Sequence, residues 1–165
     1  MASGDSLIGL TPLGSEAPAA NYATLDLRNA HPCLDFDATT NESAVFTAVM
    51  PRNYAGGGVT VYLHWSASTD TNNAHYCHWD AAFELIAAND LDIDADNFEE
   101  AHSVDDTSPN ATSGKVTITA IAFEDGEPIA NANGGNLFRL KVTRDAANDD
   151  MTGDAELLGI EIKET

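Results

Sequence analysis

Seven segments of the chain alternate apolar with polar side chains, and clusters of glycine, asparagine and aspartate separate them. The clearest is VTVYLHWSAS, whose inward positions are Val59, Val61, Leu63 and Trp65. A period of two is typical of a strand with one buried face. Only AHYCHWDAAFELIAA also fits a helical period, and a strand is favoured there. The pattern predicts an all-β chain, an antiparallel β-sandwich.

The connections between several strands are long, which favours a jelly-roll-like order over a simple meander. A chain of 165 residues with 43% hydrophobic residues suits one domain with a real core. Residues 1–20 are rich in Gly, Ser, Ala and Pro and do not alternate. We therefore expect a flexible or extended N-terminal arm over 1–20 and the sandwich over 21–165. The expected partner-binding side chains of the arm are Leu7, Ile8, Leu10 and Leu13.

The charge of the chain is strongly negative, with 27 acidic and 7 basic residues and a formal net charge of −20. Nucleic acids and anionic membrane surfaces are both bound through clustered Lys and Arg, so the composition argues against both partners. The chain has no apolar run of about 18 residues and no signal-peptide pattern at its start, which predicts a soluble intracellular product. Cys33 and Cys77 are too few for a disulfide scaffold, and two free thiols are favoured.

Residues 56–83 contain three of the five histidines, both tryptophans and one cysteine. If these residues form a hairpin, His64 and His78 approach each other across it and make half of a zinc site, to which Asp70 or Asp80 adds a carboxylate. No second pair with ligand spacing follows, so a polar and aromatic sheet face is favoured over a metal or catalytic site. We expect this face to make subunit contacts through Tyr62, His64, Tyr76 and His78.

Two acidic segments are candidates for a structural Ca²⁺ site. NDLDIDADNFEE alternates aspartates, but positions 6 and 12 counted from Asp92 hold Asn97 and Ser103 where an EF-hand needs Gly and Glu. The same alternation fits an edge strand with a row of carboxylates outward. In RDAANDDMTGD, the other acidic segment, aspartates crowd one turn. The candidate ligands are Asp92, Asp94, Asp96, Asp149, Asp150 and Asp154.

Arg144 opens the second acidic segment, and a bidentate pair with Asp145 or Asp154 is expected to pin this turn. The turn is a poor place to hold the two facing carboxyl groups that a glycosidase needs. The chain also lacks a nucleophile elbow, a P-loop and a dinucleotide-binding turn, since GGGVTV precedes a strand. The sequence therefore predicts that the protein is not an enzyme and has no cofactor beyond the candidate Ca²⁺.

The run FTAVMPRNYAGGGVTVYLHWSAS, with the later HWDAAFELI and LFRLKVTRDAANDDMTGDAELLGIEI, resembles small β-sandwich virion proteins of tailed bacteriophages, of the capsid-decoration or tail-fibre type. The resemblance implies a capsid decoration (cement) protein that binds the outside of a phage shell and bridges neighbouring capsomers. The implied partners are the major capsid protein and further copies of the chain in a homotrimer. The implied location is the virion, assembled in the bacterial host cytoplasm.

Two other functions stay open. A receptor- or glycan-binding tail-fibre or spike domain would stack exposed aromatic rings on sugar, although Trp65 and Trp79 are both predicted to face inward. A cupin-type metal-dependent enzyme would need histidines converging inside the barrel. His64 and His78 are predicted to face outward, which counts against the cupin.

Overall fold

A computed structural model describes residues 4–89 and 92–165. Within these residues the chain forms eleven strands and two 3-10 turns, Pro12–Gly14 and Pro128–Asn131, with no α-helix. No helix that is long and apolar enough to span a membrane occurs in them. The strands are β1 (Ser6–Leu10), β2 (Ser15–Glu16), β3 (Thr24–Arg28), β4 (His31–Phe36), β5 (Glu42–Val49), β6 (Gly58–Ala67), β7 (Cys77–Ile86), β8 (His102–Thr107), β9 (Thr117–Glu124), β10 (Leu137–Arg144) and β11 (Ala155–Glu164).

The strands form two antiparallel sheets. The first sheet has the order β3-β4-β11-β6-β9, and β1 pairs with β11 beyond the end of β4. The second sheet has the order β2-β5-β10-β7-β8. Strands that follow each other in the chain therefore often lie in different sheets. The predicted antiparallel β-sandwich of jelly-roll-like type is confirmed.

The core lies between the sheets and is built by the inward positions of the alternating strands. The four predicted inward residues of β6 are all fully buried: Val59, Val61, Leu63 and Trp65. Trp79 of β7 meets Trp65 edge to face, with ring centroids 5.8 Å apart. The indole N–H of Trp65 donates to the Thr119 hydroxyl at 2.8 Å, so this buried donor is satisfied.

The N-terminal segment departs from the expected arm over residues 1–20. Strand β1 pairs with β11 of the same chain, with Ile8 opposite Ile162 and Leu10 opposite Ile160. Leu7, Ile8 and Leu10 are partly buried and pack against the core. The first sheet therefore begins at residue 6, because the apolar side chains of β1 find their partner surface within the domain. Leu13 remains 70% exposed.

The hairpin expected between β6 and β7 does not form. Strand β6 pairs with β9 and β11 of the first sheet, whereas β7 pairs with β8 and β10 of the second. Each strand contributes its tryptophan to the core from opposite sides, which buries both rings. Tyr62 and His64 thus lie on the outer face of the first sheet and His78 on that of the second, while Tyr76 precedes β7. The four residues do not share one face.

Two strands, β8 and β4, lie where the sequence did not predict a strand. Strand β8 forms inside the long acidic connection, and β4 follows β3 through a tight turn in which Asn29 and Ala30 have positive φ. The charged edge strand expected in NDLDIDADNFEE is not formed over its described residues, since residues 93 and 94 form a turn and residues 95–100 contain no strand. The remaining part of that prediction, Asp90 and Leu91, lies outside the described residues.

Candidate binding groove

A groove of about 470 Å³ lies on the outer face of the second sheet. Its floor is formed by β5 and β10, which are interior strands of the sheet. One wall is the segment 17–19 after β2, and the other is the segment 96–98 after β7. The lining residues are Ala17, Pro18, Ala19, Val45, Asp96, Phe98, Arg139 and Lys141. The volume falls in the range of roughly 300–1,000 Å³ that is typical of ligand sites.

The alternation of β10 brings two cations to the groove floor. Phe138, Leu140 and Val142 are fully buried between the sheets. Since successive side chains of a strand point to opposite faces, Arg139 and Lys141 point outward. Two cations on one strand face are the feature of the sequence that could have indicated this groove, in a chain with only 7 basic residues.

Phe98 forms the aromatic part of the wall. The centroid of its ring lies 5.0 Å from the guanidinium carbon of Arg139 and 4.6 Å from the amine of Lys141. These are cation–π distances. The wall is also tied to β7, because the amide of Asn97 donates to the Glu84 carboxylate at 2.6 Å. The segment 96–98 is thus held over the floor by the cation–π contacts of Phe98 and by the hydrogen bond from Asn97 to Glu84.

The two cations of the floor have different electrostatic surroundings. The guanidinium of Arg139 pairs with Glu84 at 2.9 Å and with Asp96 at 2.6 Å. The hydrogen bond that Arg139 donates to Asp96 raises the pKa of Arg139 above its ordinary value. Burial opposes this shift, and the contact with Glu84 adds to it. Lys141 has no described carboxylate within 4.0 Å of its amine. The groove therefore contains one cation, Arg139, that is paired with carboxylates and one, Lys141, that has no described carboxylate partner.

The groove contains no set of groups for covalent or acid–base chemistry. Among its described lining residues there is no histidine, cysteine, serine or threonine. Its one carboxylate, on Asp96, is 74% exposed and paired with Arg139. The free thiols of Cys33 and Cys77 are buried, and burial raises the pKa of each. This arrangement is suited to binding a ligand and does not provide an activated nucleophile.

The expected Ca²⁺ ligands do not gather into a site. Asp149 is buried and pairs with Arg144, which corrects the expected partners Asp145 and Asp154. Asp150 accepts from the amide of Tyr76 at 2.6 Å and Asp154 from that of Ala38 at 3.0 Å. These carboxylates point to different segments because Asp149 satisfies a side-chain donor, whereas Asp150 and Asp154 each satisfy a separate backbone amide.

The acidic segment after β7 shows the same dispersal over its described residues. Asp92 accepts from the amide of Asp94 within its own turn at 3.0 Å, and Asp96 pairs with Arg139 in the groove. None of the six expected ligands belongs to a described group of side chains that could hold a metal ion.

The structure instead brings His78 together with Asp80 and Asp145. One ligand atom from each lies within 4.8 Å of the others. Asp145 is next to His78 because β7 and β10 are antiparallel neighbours, and its amide donates to the His78 carbonyl at 3.1 Å. A histidine with two carboxylates suits zinc better than calcium, which prefers oxygen ligands alone. His64, expected as the second histidine, lies on the other sheet.

A buried aspartate ties the loop after β6 to the loop before β11. The carboxylate of Asp70 accepts from His75 Nδ1 at 2.7 Å, from the Thr152 amide at 2.7 Å and from the Asn72 amide at 2.8 Å. Burial alone would raise the pKa of Asp70, but these hydrogen bonds outweigh it and lower the pKa to about 2. The hydrogen bond between Asp70 and His75 also raises the pKa of His75.

Stability is expected to depend on pH through this pair. The lowered pKa of Asp70 means that its contribution is present above pH 3.8 and is lost as pH falls towards 2. It amounts to about 2 kcal/mol. The raised pKa of His75 means that its contribution is present below pH 6.5 and is lost as pH rises through the raised value. Urea unfolding of the wild type and Asp70→Asn between pH 2 and 8 should show the largest difference near pH 5. Parallel pH profiles would contradict the assignment.

Comparison with known proteins gives no family model and no curated protein sequence that matches the chain. Among solved structures it is similar to the CBM22-1 xylan-binding domain from Paenibacillus barcinonensis Xyn10C, with 12% identity, coverage of 98% of this chain and 96% of that one, and a TM-score of 0.48. It is also similar to the xylan-binding module CBM15, with 11% identity, 92% and 89% coverage and a TM-score of 0.49. A third similar structure is Caldicellulosiruptor saccharolyticus CBM27-1 in complex with mannohexaose, with 10% identity, 99% and 98% coverage and a TM-score of 0.48. At such identities the similarity concerns the fold alone.

Proposed function

We propose that this chain is a non-enzymatic carbohydrate-binding domain that holds a glycan in the groove on the outer face of the second sheet. The observation that carries the proposal is the lining of that groove. It combines an aromatic ring, Phe98, with hydrogen-bonding groups of both signs, Asp96, Arg139 and Lys141. This function corresponds to the glycan-binding alternative of the sequence analysis.

The polar groups of the groove match the chemistry of a sugar. Each hydroxyl group of a sugar both donates and accepts hydrogen bonds. Asp96 accepts, while Arg139 and Lys141 donate, so neighbouring hydroxyl groups find complementary partners. Phe98 is half-buried and gives the C–H face of a sugar ring an apolar surface to pack against.

A peptide is a poorer match for the same groove. Extended peptides usually bind by adding a strand to a free sheet edge, where the backbone supplies most of the hydrogen bonds. At the groove the floor strands offer no such edge, because Val45 of β5 is paired with Glu16 of β2, and β10 is paired with β5 and β7. A ligand on this floor meets side chains only, which favours one rich in its own hydroxyl groups.

Replacing Phe98 by alanine is expected to weaken glycan binding about ten-fold. The change removes the apolar surface on which a sugar ring would pack, worth about 1.4 kcal/mol of binding free energy. The test is calorimetric titration of the wild type and Phe98→Ala with soluble polysaccharides, including xylan, mannan and dextran. A wild type that binds no glycan would refute the proposed function.

The matched control for Phe98→Ala is Tyr62→Ala. Tyr62 is also half-buried and aromatic, but it lies on the outer face of the first sheet. Its loss should leave binding unchanged within about two-fold. If Tyr62→Ala abolished binding and Phe98→Ala did not, the site would lie on the first sheet and the groove assignment would be wrong.

A place in a phage particle is a separate prediction. It requires attachment to the major capsid protein, assembly into a homotrimer and a location in the virion. The subunit-contact role of Tyr62, His64, Tyr76 and His78 belongs to the same prediction. So does attachment through the N-terminal leucines, of which Leu13 is the most exposed. Co-sedimentation of the purified chain with phage shells tests it independently of the groove.

A further inference from the structure

Two of the few cations of this chain lie side by side in the groove. Acidic residues outnumber basic ones by 27 to 7, yet two of the seven basic residues are neighbours on the floor. Arg139 and Lys141 are consecutive outward positions of β10. Like charges at this spacing repel, unless a group of opposite charge lies close to each.

Arg139 has its opposite charges within the protein. The Glu84 carboxylate lies directly across the strand pair, is 1% exposed and pairs with Arg139 at 2.9 Å. Asp96 adds a second contact from the wall of the groove. This guanidinium is therefore part of the scaffold that holds the wall on the floor.

Lys141 has no such partner among the described residues. Its cross-strand neighbours are Val45 of β5 and Ala82 of β7, both uncharged and each 2% exposed. A lysine stem can cover apolar surface of this kind while its amine stays accessible. The amine of Lys141 stands 4.6 Å from the centre of the Phe98 ring, inside the groove. The site thus presents one accessible positive charge beside an apolar ring.

We infer that the groove takes an acidic glycan, one whose sugar rings carry a carboxylate or a sulfate ester, and that Lys141 selects it. This inference rests on the proposed function. The anionic group pairs with the Lys141 ammonium, and the remainder of the ring packs on Phe98. An ammonium group is a compact point charge that pairs with either anion, so the two kinds of acidic glycan share this chemistry.

Because of the net charge of the chain, a preference for acidic glycans must come from contacts inside the groove. At −20 the domain as a whole repels a polyanion, so long-range attraction does not produce a preference for acidic glycans. At physiological salt the screening length is about 8 Å, which weakens this repulsion and leaves contacts inside the groove. A preference measured at such salt therefore reports on the groove itself.

The test compares acidic with neutral polysaccharides on the full chain at physiological salt. Polygalacturonate supplies the carboxylate, dextran sulfate the sulfate ester, and dextran and xylan are neutral. We expect at least one acidic polysaccharide to bind about ten-fold more tightly than the neutral ones. Lys141→Met should remove this preference by weakening acidic binding about ten-fold, and it should weaken neutral binding by a smaller factor, since it also removes one donor to the sugar hydroxyl groups.

The control variant is Lys163→Met, which removes the same charge from β11 on the first sheet and should leave all affinities unchanged. Binding of polygalacturonate would identify a carboxylate as the anionic group that pairs with Lys141, and binding of dextran sulfate would identify a sulfate ester. If acidic and neutral glycans bind equally and Lys141→Met changes neither, the inference is wrong and the proposed function stands. Poly-glutamate is titrated as well, as a polyanion that is not a carbohydrate. If no polysaccharide binds, or if poly-glutamate binds and the polysaccharides do not, the proposed function is wrong and the inference with it.

Discussion

Replacement of Arg144 by methionine is expected to lower the free energy of unfolding by about 3–5 kcal/mol. The guanidinium is fully buried and pairs with both carboxylate oxygens of Asp149, at 2.8 and 3.2 Å. It also donates to the carbonyls of Phe36 at 3.2 Å, Gly153 at 2.9 Å and Met151 at 3.0 Å. Methionine fills similar space but leaves a buried carboxylate and three carbonyl groups without their donor.

The measurement is urea unfolding of Arg144→Met beside Arg28→Met. Arg28 also forms an ion pair, with Glu156, but its side chain is 29% exposed. Its loss should therefore cost less than that of Arg144, about 1–2 kcal/mol, since Glu156 keeps 12% exposure and its hydrogen bond from Ser66. Adding Asp149→Leu to Arg144→Met should restore part of the stability, since it removes the unpaired buried charge. Equal losses in the two arginine variants would contradict this account.

The second large effect is expected at Gly58, where β6 begins. Its φ is +103°, and a Cβ atom there would lie 2.4 Å from the carbonyl oxygen of Phe123. The neighbouring atom belongs to the backbone of β9, which is held in register with β6, so it cannot rotate away. Gly58→Ala is expected to cost roughly 2–5 kcal/mol, the sum of left-handed backbone strain and overpacking.

Gly57 provides the control because it has nearly the same backbone angle without the contact. Its φ is +104°, and a Cβ atom there would meet nothing within 4 Å. Gly57→Ala should cost the strain alone, about 1–2 kcal/mol. Thermal or urea unfolding of both variants separates the two contributions. A loss at Gly57 as large as that at Gly58 would show that the close approach to Phe123 is unimportant.

The fold class was predictable because the strands of the core alternate regularly. In β6 and β10 the inward residues are apolar and the outward ones mostly polar, so a period of two identifies both strand and face. In β11 a bulge between Leu157 and Gly159 shifts the alternation, so the period alone does not assign both ends of that strand to the correct face. The same pattern does not say which sheet a strand joins. The loop between β6 and β7 is equally compatible with a hairpin and with a crossing between sheets, and the hairpin prediction was wrong for that reason.

The elements that the sequence did not indicate are those whose stability depends on tertiary contacts. Strand β8 is polar, and it forms because β7 offers it an edge. Strand β1 is too short and too rich in Gly to be recognised as a strand, and it is held by β11. The groove was missed because Phe98 and Lys141 are 43 positions apart in the sequence and meet only once β7 and β10 have paired in the second sheet.

Strand β11 lies at the centre of the first sheet, although it follows every other strand in the chain. It separates β4 from β6 and also carries β1, so three pairings depend on it. A ribosome releases these residues after the rest of the domain. Until they emerge, β4 and β6 lack the strand that joins them. The first sheet can therefore close only after β11 has been synthesised, and the long-range pairing makes that step slow.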